Sequence, residues 1–373
     1  MIRKLSRIFI LQLVWVLSLV LPVPAEAGEA ILFEGNAPTL KEQISEDPPI
    51  FADEKVLEFK LTLDYEALLK DRGEERGYHQ ALLTYKDSTG APVDVNLKVM
   101  VRGKRRRDPS VCGFPPLLLN ISRKTSQHTI FRKVNKIKLV THCLNEDYVV
   151  REYLVYKLYN VLTDRSFRVR LCRIDYVDIN GKKKPEQKYA FMIEDDDEMA
   201  RRHKGKVLPE KLIITMDKTE ERSMALMAFF QYLIGNTDWS VPYRHNIDLV
   251  STDSLAAPFP VPFDFDYSGI VGTPYAVPPP ELGISSVRQR LFRGYAYSEN
   301  TYRETVNTFN ARRTAIYAVY RQCDLLDRGY LKRTLKYLDG FYKTINDPKD
   351  FQNRIVKVAQ RNQRNYVVVR GLE

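Results

Sequence analysis

The first third of the chain alternates apolar and polar residues with a period of two. VLEFKLTLDY from Val56, HQALLTYKD from His79 and VDVNLKVMVRG from Val93 each read as a strand, with a turn at Thr89-Gly90 between the last two. Pro116–Ile121 and VNKIKLVTHC follow in the same manner. In the second of these, Val134, Lys136, Lys138 and Val140 share one face, while Asn135, Ile137, Leu139 and Thr141 share the other. VRLCRIDYVDI and QKYAFMIE are two further strands around Asn180-Gly181, a strong hairpin signal. The pattern predicts an antiparallel, β-rich region.

Between these strands the period changes. Asn145 can cap a helix that begins near Asp147 and runs through DYVVREYLVYKLYNVL, with Glu152 in its first two turns. EDDDEMARRH opens acidic and closes basic, as suits a short helix and its dipole. EERSMALMAFFQYLIG is apolar on nearly all sides, which predicts a buried helix ending at Gly235. Beyond a Pro-rich stretch after Gly269, YRETVNTFNARRTAIYAVYRQC, RGYLKRTLKYLDGFYKTI and KDFQNRIVKVAQRNQ predict three amphipathic helices.

The N-terminus breaks from this picture. MIRKLSR, an apolar run and Ala25-Glu26-Ala27 together predict a secretory signal cut between Ala27 and Gly28. The expected location is secreted or periplasmic, with no membrane span after cleavage. The expected organisation is a signal over 1–27, a lead-in over 28–55, a β-rich lobe with one helix over 56–194, and a mostly helical lobe over 195–373. The net charge of +11 stays basic without the leader and suits an acidic ligand. No helix-turn-helix, zinc-finger or RNP pattern accompanies it, so nucleic acid is not the expected partner. Cys112, Cys143, Cys172 and Cys323 allow two disulfides in three connectivities, or buried thiols. There is no G-x-S-x-G, S-x-x-K or H-E-x-x-H to support a hydrolase.

The candidate chemistry lies in GNTDWSVPYRHNIDLVSTDSLAAPFPVPFDFDYSG, Gly235–Gly269. Asp238 sits in a turn, Asn246 opens an apolar run eight positions on, and Asp264 and Asp266 follow in PVPFDFDYSG. His245 can hydrogen-bond within the same loop. An acid, an amide and further acids in this order suit phosphoryl transfer, in which one carboxylate orients a hydroxyl and the others hold a divalent cation on the phosphates. Upstream, Lys104–Arg107 is a basic run that can clamp phosphate or an acidic substrate. Lys138 and Glu152 form a possible strand-lysine, helix-glutamate pair.

The order strand with Lys138, helix with Glu152, FMIEDDDE, buried helix, N-x-D, N and P-x-D-F-D-x-S-G resembles the CotH-type atypical kinases of spore coats and, more distantly, the HipA-type kinases. The resemblance covers roughly Val56–Val271. It implies an α+β, bilobal protein-kinase-like fold, with a β-rich N-terminal lobe and a mainly helical C-terminal lobe, using ATP with Mg²⁺ or Mn²⁺. It implies Asp238 as catalytic base and Asn246 and Asp264 as metal ligands, with Asp266 beside them. Lys138 is the implied phosphate contact, Glu152 its partner, and Lys136 the alternative lysine. The expected acceptor is a hydroxyl on an extracytoplasmic protein or glycan. The competing expectation is an inactive relative that serves as a binding or surface-assembly protein.

Overall fold

In the computed structural model, which describes residues 48–365, the alternating segments become seven strands: β1 (Leu57–Leu63), β2 (His79–Lys86), β3 (Pro92–Val101), β4 (Leu117–Ile121), β5 (Lys136–Val140), β6 (Val169–Asp178) and β7 (Glu186–Ile193). They close into a barrel in the order β1-β2-β3-β4-β5-β7-β6. The pairings are antiparallel except at the seam, where β1 runs parallel to β6 with Leu57 opposite Cys172. One alternate set of side chains fills the interior: Leu57, Phe59 and Leu61 from β1, Val95, Leu97 and Val99 from β3, and Ile174 and Tyr176 from β6 are among them. A barrel of this size has no lumen once large side chains point inward.

Four short or middle-length helices punctuate the barrel region: α1 (Tyr65–Lys70), α2 (Arg123–Ser126), α3 (Glu146–Leu162) and α4 (Asp196–Arg202). Asn145 caps α3 by accepting from Asp147 N at 3.0 Å. This helix lies outside the barrel against β6 and β7, so those strands bury both faces: Cys172 and Met192 look into the barrel, whereas Leu171, Phe191 and Ile193 join a second core with Tyr156 and Leu158 of α3. That second core continues into α5 (Glu221–Ile234), α6 (Glu299–Arg321) and α7 (Arg328–Asn346), then α8 (Pro348–Phe351), a π-helical turn at Gln352–Val356, and α9 (Lys357–Arg364). The last expected helix thus runs on through a π-helical middle. A three-stranded antiparallel sheet, in the order β10-β9-β8, is formed by β8 (Lys206–Val207), β9 (Ile247–Ser251) and β10 (Phe259–Pro262).

The bilobal protein-kinase-like fold expected above is corrected by this architecture. The β-rich region is a closed seven-stranded barrel, and the region that follows it carries its own small sheet as well as helices. Alternation reports which side chains face inward; it does not report whether the first strand of a series meets one of the last. The expected signal peptide and its cleavage point lie outside the described residues. Among the described residues no helix is long and apolar enough to cross a membrane. Cys112 and Cys143 are joined in a disulfide, whereas Cys172 and Cys323 are free thiols. Burial pushes the Cys172 thiol up to about 12.

Gly235 is the hinge between core and chemistry. It ends α5 in the left-handed region at φ 66°, and its N–H donates to Tyr232 O. A Cβ there would lie 2.1 Å from Tyr337 Oη and 3.1 Å from Val287 O. Gly235→Ala is therefore expected to cost at least about 1–2 kcal/mol from the backbone alone, with the clash adding to it. Urea unfolding checks this: an unchanged midpoint would contradict the tight approach.

Candidate functional site

The loop after Gly235 is held from several sides. Asn236 Oδ1 accepts from Asp238 N at 3.0 Å, and Trp239, fully buried, donates from its indole to Asn236 O at 3.2 Å. Ser240 and His245 exchange two backbone bonds of 3.0 Å, which folds the intervening residues into a closed turn. From the C-terminal region, Arg293 donates to Trp239 O at 2.8 Å. Asp238 is thereby fixed in a buried position on a loop, where an isolated carboxylate needs partners. His245 Nε2 lies 2.8 Å from its Oδ1, and Asn246 Nδ2 donates to its backbone oxygen at 2.9 Å and to Oδ2 at 3.1 Å. Arg244 and Asn246 both have positive φ, 52° and 54°, a conformation that costs side-chain-bearing residues and persists only where the surroundings dictate it.

Asp264 follows β10 and also has a positive φ, 57°. Its N–H donates to Tyr156 Oη on α3 at 2.9 Å. Phe265 then turns into the core against Tyr156 and Phe230, with ring centroids 4.7 and 5.5 Å away. That inward anchor holds Asp264 and Asp266 on either side of it. Asp266 is buried; Tyr275 donates to its Oδ2 at 2.8 Å, and Thr273 donates to its backbone oxygen at 2.8 Å.

Asp238, Asn246, Asp264 and Asp266 thus line one cleft of about 340 Å³. Arg102, Lys104, Arg105 and Arg106, from the segment after β3, line the same cleft. Burial works to lower the Arg102 guanidinium, with Asp264 opposing.

The expected lysine–glutamate pair is absent. Lys138 is bound to Asp196 at the start of α4, with its ammonium over the rings of Phe167 and Phe263 at 5.6 and 5.4 Å. Lys136 is exposed. Glu152, 2% exposed, instead accepts from Arg106 Nη1 at 3.2 Å. The same guanidinium donates from Nη2 to Asp264 Oδ1, and its Nε lies 3.5 Å from Asp266 Oδ2. Burial works to lower Arg106, but Asp266, Glu152 and Asp264 together raise it well above its ordinary value. Burial pushes Glu152 up to about 8 against the pull of Arg106. It pushes Asp266 up to about 7, again opposed by Arg106 and reinforced by Asp264. Three carboxylates therefore share one arginine.

Lys104–Arg107 is legible as a run that can clamp phosphate or an acidic substrate, but nothing in the run distinguishes Arg106. The signal was there only as a charge run. Tyr156 and Tyr275, which support the two acids, carried no signal beyond aromatic character.

The donors suit a hard divalent cation in kind. Asp264 and Asp266 offer carboxylate oxygens, and Asn246, its Nδ2 committed to Asp238, offers Oδ1. Their present arrangement is that of groups around a guanidinium: among the described residues no group of three His, Cys, Asp or Glu is placed to hold a metal ion as it stands. No family model matches the chain, and no curated protein does.

Proposed function

We propose that the cleft binds ATP with a divalent cation, Mg²⁺ or Mn²⁺, and passes the γ-phosphoryl group to a hydroxyl on an extracytoplasmic protein or glycan. One observation carries this reading: Asp238, Asn246, Asp264 and Asp266 line a single cleft together with Arg102, Lys104, Arg105 and Arg106. Phosphoryl transfer needs positioning and charge stabilisation more than covalent chemistry, and a cleft that gathers acids and guanidinium groups supplies both. Asp238 takes the role of base. Its Oδ1 is oriented by His245 and its Oδ2 by Asn246, so the carboxylate is held in place for an incoming hydroxyl. The basic residues hold the phosphates, with Arg102 and Arg106 as planar donors. Asp264, Asp266 and Asn246 are the residues that would hold the cation, which when bound offsets charge on the phosphate oxygens.

A second reading, a secreted binding or surface-assembly protein without turnover, is favoured by the contacts of Arg106. It already neutralises the acids that a catalytic cation would need.

Thermal-shift titration of the mature protein separates these readings. With ATP and Mn²⁺ at a hundred times the dissociation constant, binding should stabilise the wild type by about 2.7 kcal/mol, and Asp264→Asn should lose most of that rise. Labelled ATP then shows whether phosphate is transferred. Metal-dependent binding without transfer supports the second reading. No rise with ATP under either metal overturns the phosphotransferase.

A further inference from the structure

Arg244 carries more donors than the protein uses. It lines the same cleft as Asp238, Asn246 and Asp264, and it is 7% exposed. Its Nη2 donates to Leu208 O at 2.5 Å, whereas Nε and Nη1 are buried without a partner. Burial lowers the guanidinium, opposed by Asp248 on β9 and by Glu210 beyond β8, yet neither acid accepts a hydrogen bond from it. Asp248 Oδ2 is itself buried without a partner. Arg106 differs: each of its three nitrogens faces a carboxylate of the chain. Tyr267, which follows Asp266 and lines the cleft, also has a buried hydroxyl with no partner. A buried donor left unpaired costs free energy that an incoming acceptor restores. A phosphoryl group, with three acceptor oxygens, matches such donors in charge and in number.

The place of Arg244 in the chain narrows which phosphoryl group this is. It belongs to the turn that the two Ser240–His245 backbone bonds close, and it directly precedes His245, which orients Asp238 Oδ1. Its positive φ of 52° and the N–H it donates to Val241 O at 3.2 Å fix its backbone in that turn. The arginine and the base are therefore carried by one loop. In the transfer, the acceptor oxygen bonds to the γ-phosphorus and its proton passes to Asp238. The bond from phosphorus to the β,γ-bridging oxygen breaks, and its electron pair leaves on ADP. A cation beside the base thus stands beside the group that moves.

We propose that Arg244 binds the γ-phosphoryl group of the nucleotide. This rests on the reading of the cleft as an ATP site, and adds to it a residue that distinguishes a triphosphate from a diphosphate. Reaching the phosphoryl oxygens costs Arg244 at most its bond to Leu208 O, and pairs nitrogens that are now unpaired. In surroundings shut off from water, a guanidinium held in place stabilises the charge on those oxygens more than solvent would.

The test titrates ATP and ADP, each with Mn²⁺, into the mature protein by calorimetry. Arg244→Gln is expected to weaken ATP at least about ten-fold, the usual worth of a hydrogen bond to a charged group. It should leave ADP unchanged, because ADP lacks the γ-phosphoryl group. Arg244→Lys keeps the charge and loses the planar fork, so it should fall between the wild type and Arg244→Gln for ATP, and it guards against poor folding of the glutamine variant. Selective loss of ATP in either variant supports the proposal. If both variants bind ATP as the wild type does, or lose ATP and ADP alike, the role of Arg244 is overturned while the ATP reading stands; the second pattern is that of a buried counter-charge for Asp248. A wild type that binds neither nucleotide overturns the ATP reading and this inference with it.

Discussion

Arg106→Gln is expected to lower the stability of the metal-free protein by about 3–5 kcal/mol, the usual effect of removing one partner from a buried ion pair and leaving the other uncompensated. Two of its three partners, Glu152 and Asp266, are buried, so water cannot take over the lost charge. The third, Asp264, is 40% exposed in its side chain and should contribute least. The double variant Arg106→Gln with Glu152→Gln should recover part of the loss, because it replaces a buried acid by an amide of nearly the same shape. Urea unfolding in chelator-treated buffer measures all three. If Arg106→Gln costs less than about 1 kcal/mol, in the range of an exposed pair, the guanidinium is not the counter-charge of the buried acids.

How much of this was legible beforehand differs between strands and site. The inward residues of the barrel were legible, since Leu57, Phe59 and Leu61 alternate with Glu58, Lys60 and Thr62 and only one set can be buried. Closure was not. It depends on a parallel seam between β1 and β6, far apart in the chain, and nothing in either strand's pattern names its neighbour. In the site, Asp238, Asn246, Asp264 and Asp266 could be picked out because they are close in sequence and fall at the ends of short elements. Arg106 could not, because it reaches Asp264 across a separation of 158 residues, and a run of four basic residues does not say which one turns inward. Lys138 is the phosphate contact that the resemblance implies, and in the fold its ammonium is bound to Asp196 at the start of α4. Charge complementarity was legible in kind, and its partners were fixed only by tertiary packing.

Loss of the Cys112–Cys143 disulfide is the other change expected to be large. The two residues are separated by 31 positions, and a cross-link over a loop of that length removes unfolded-state entropy equivalent to about 3.5 kcal/mol. Cys112→Ser with Cys143→Ser should lower stability by an amount of that order in urea. Thiol titration of the unfolded wild type should find the two free cysteines, Cys172 and Cys323, before reduction and all four after it. The disulfide also bears on the site. Cys112 ends the segment that carries Lys104–Arg107, and Cys143 lies between β5 and α3, just ahead of the helix that bears Glu152. Arg72 reinforces the same segment by donating to Cys112 O at 2.8 Å and Gly113 O at 2.6 Å. The bond therefore ties the loop of Arg106 to the segment just ahead of the helix of Glu152. In the double serine variant the arginine loses that tether in the folded state as well. A double serine variant that unfolds at the wild-type urea midpoint would contradict the contribution of the cross-link.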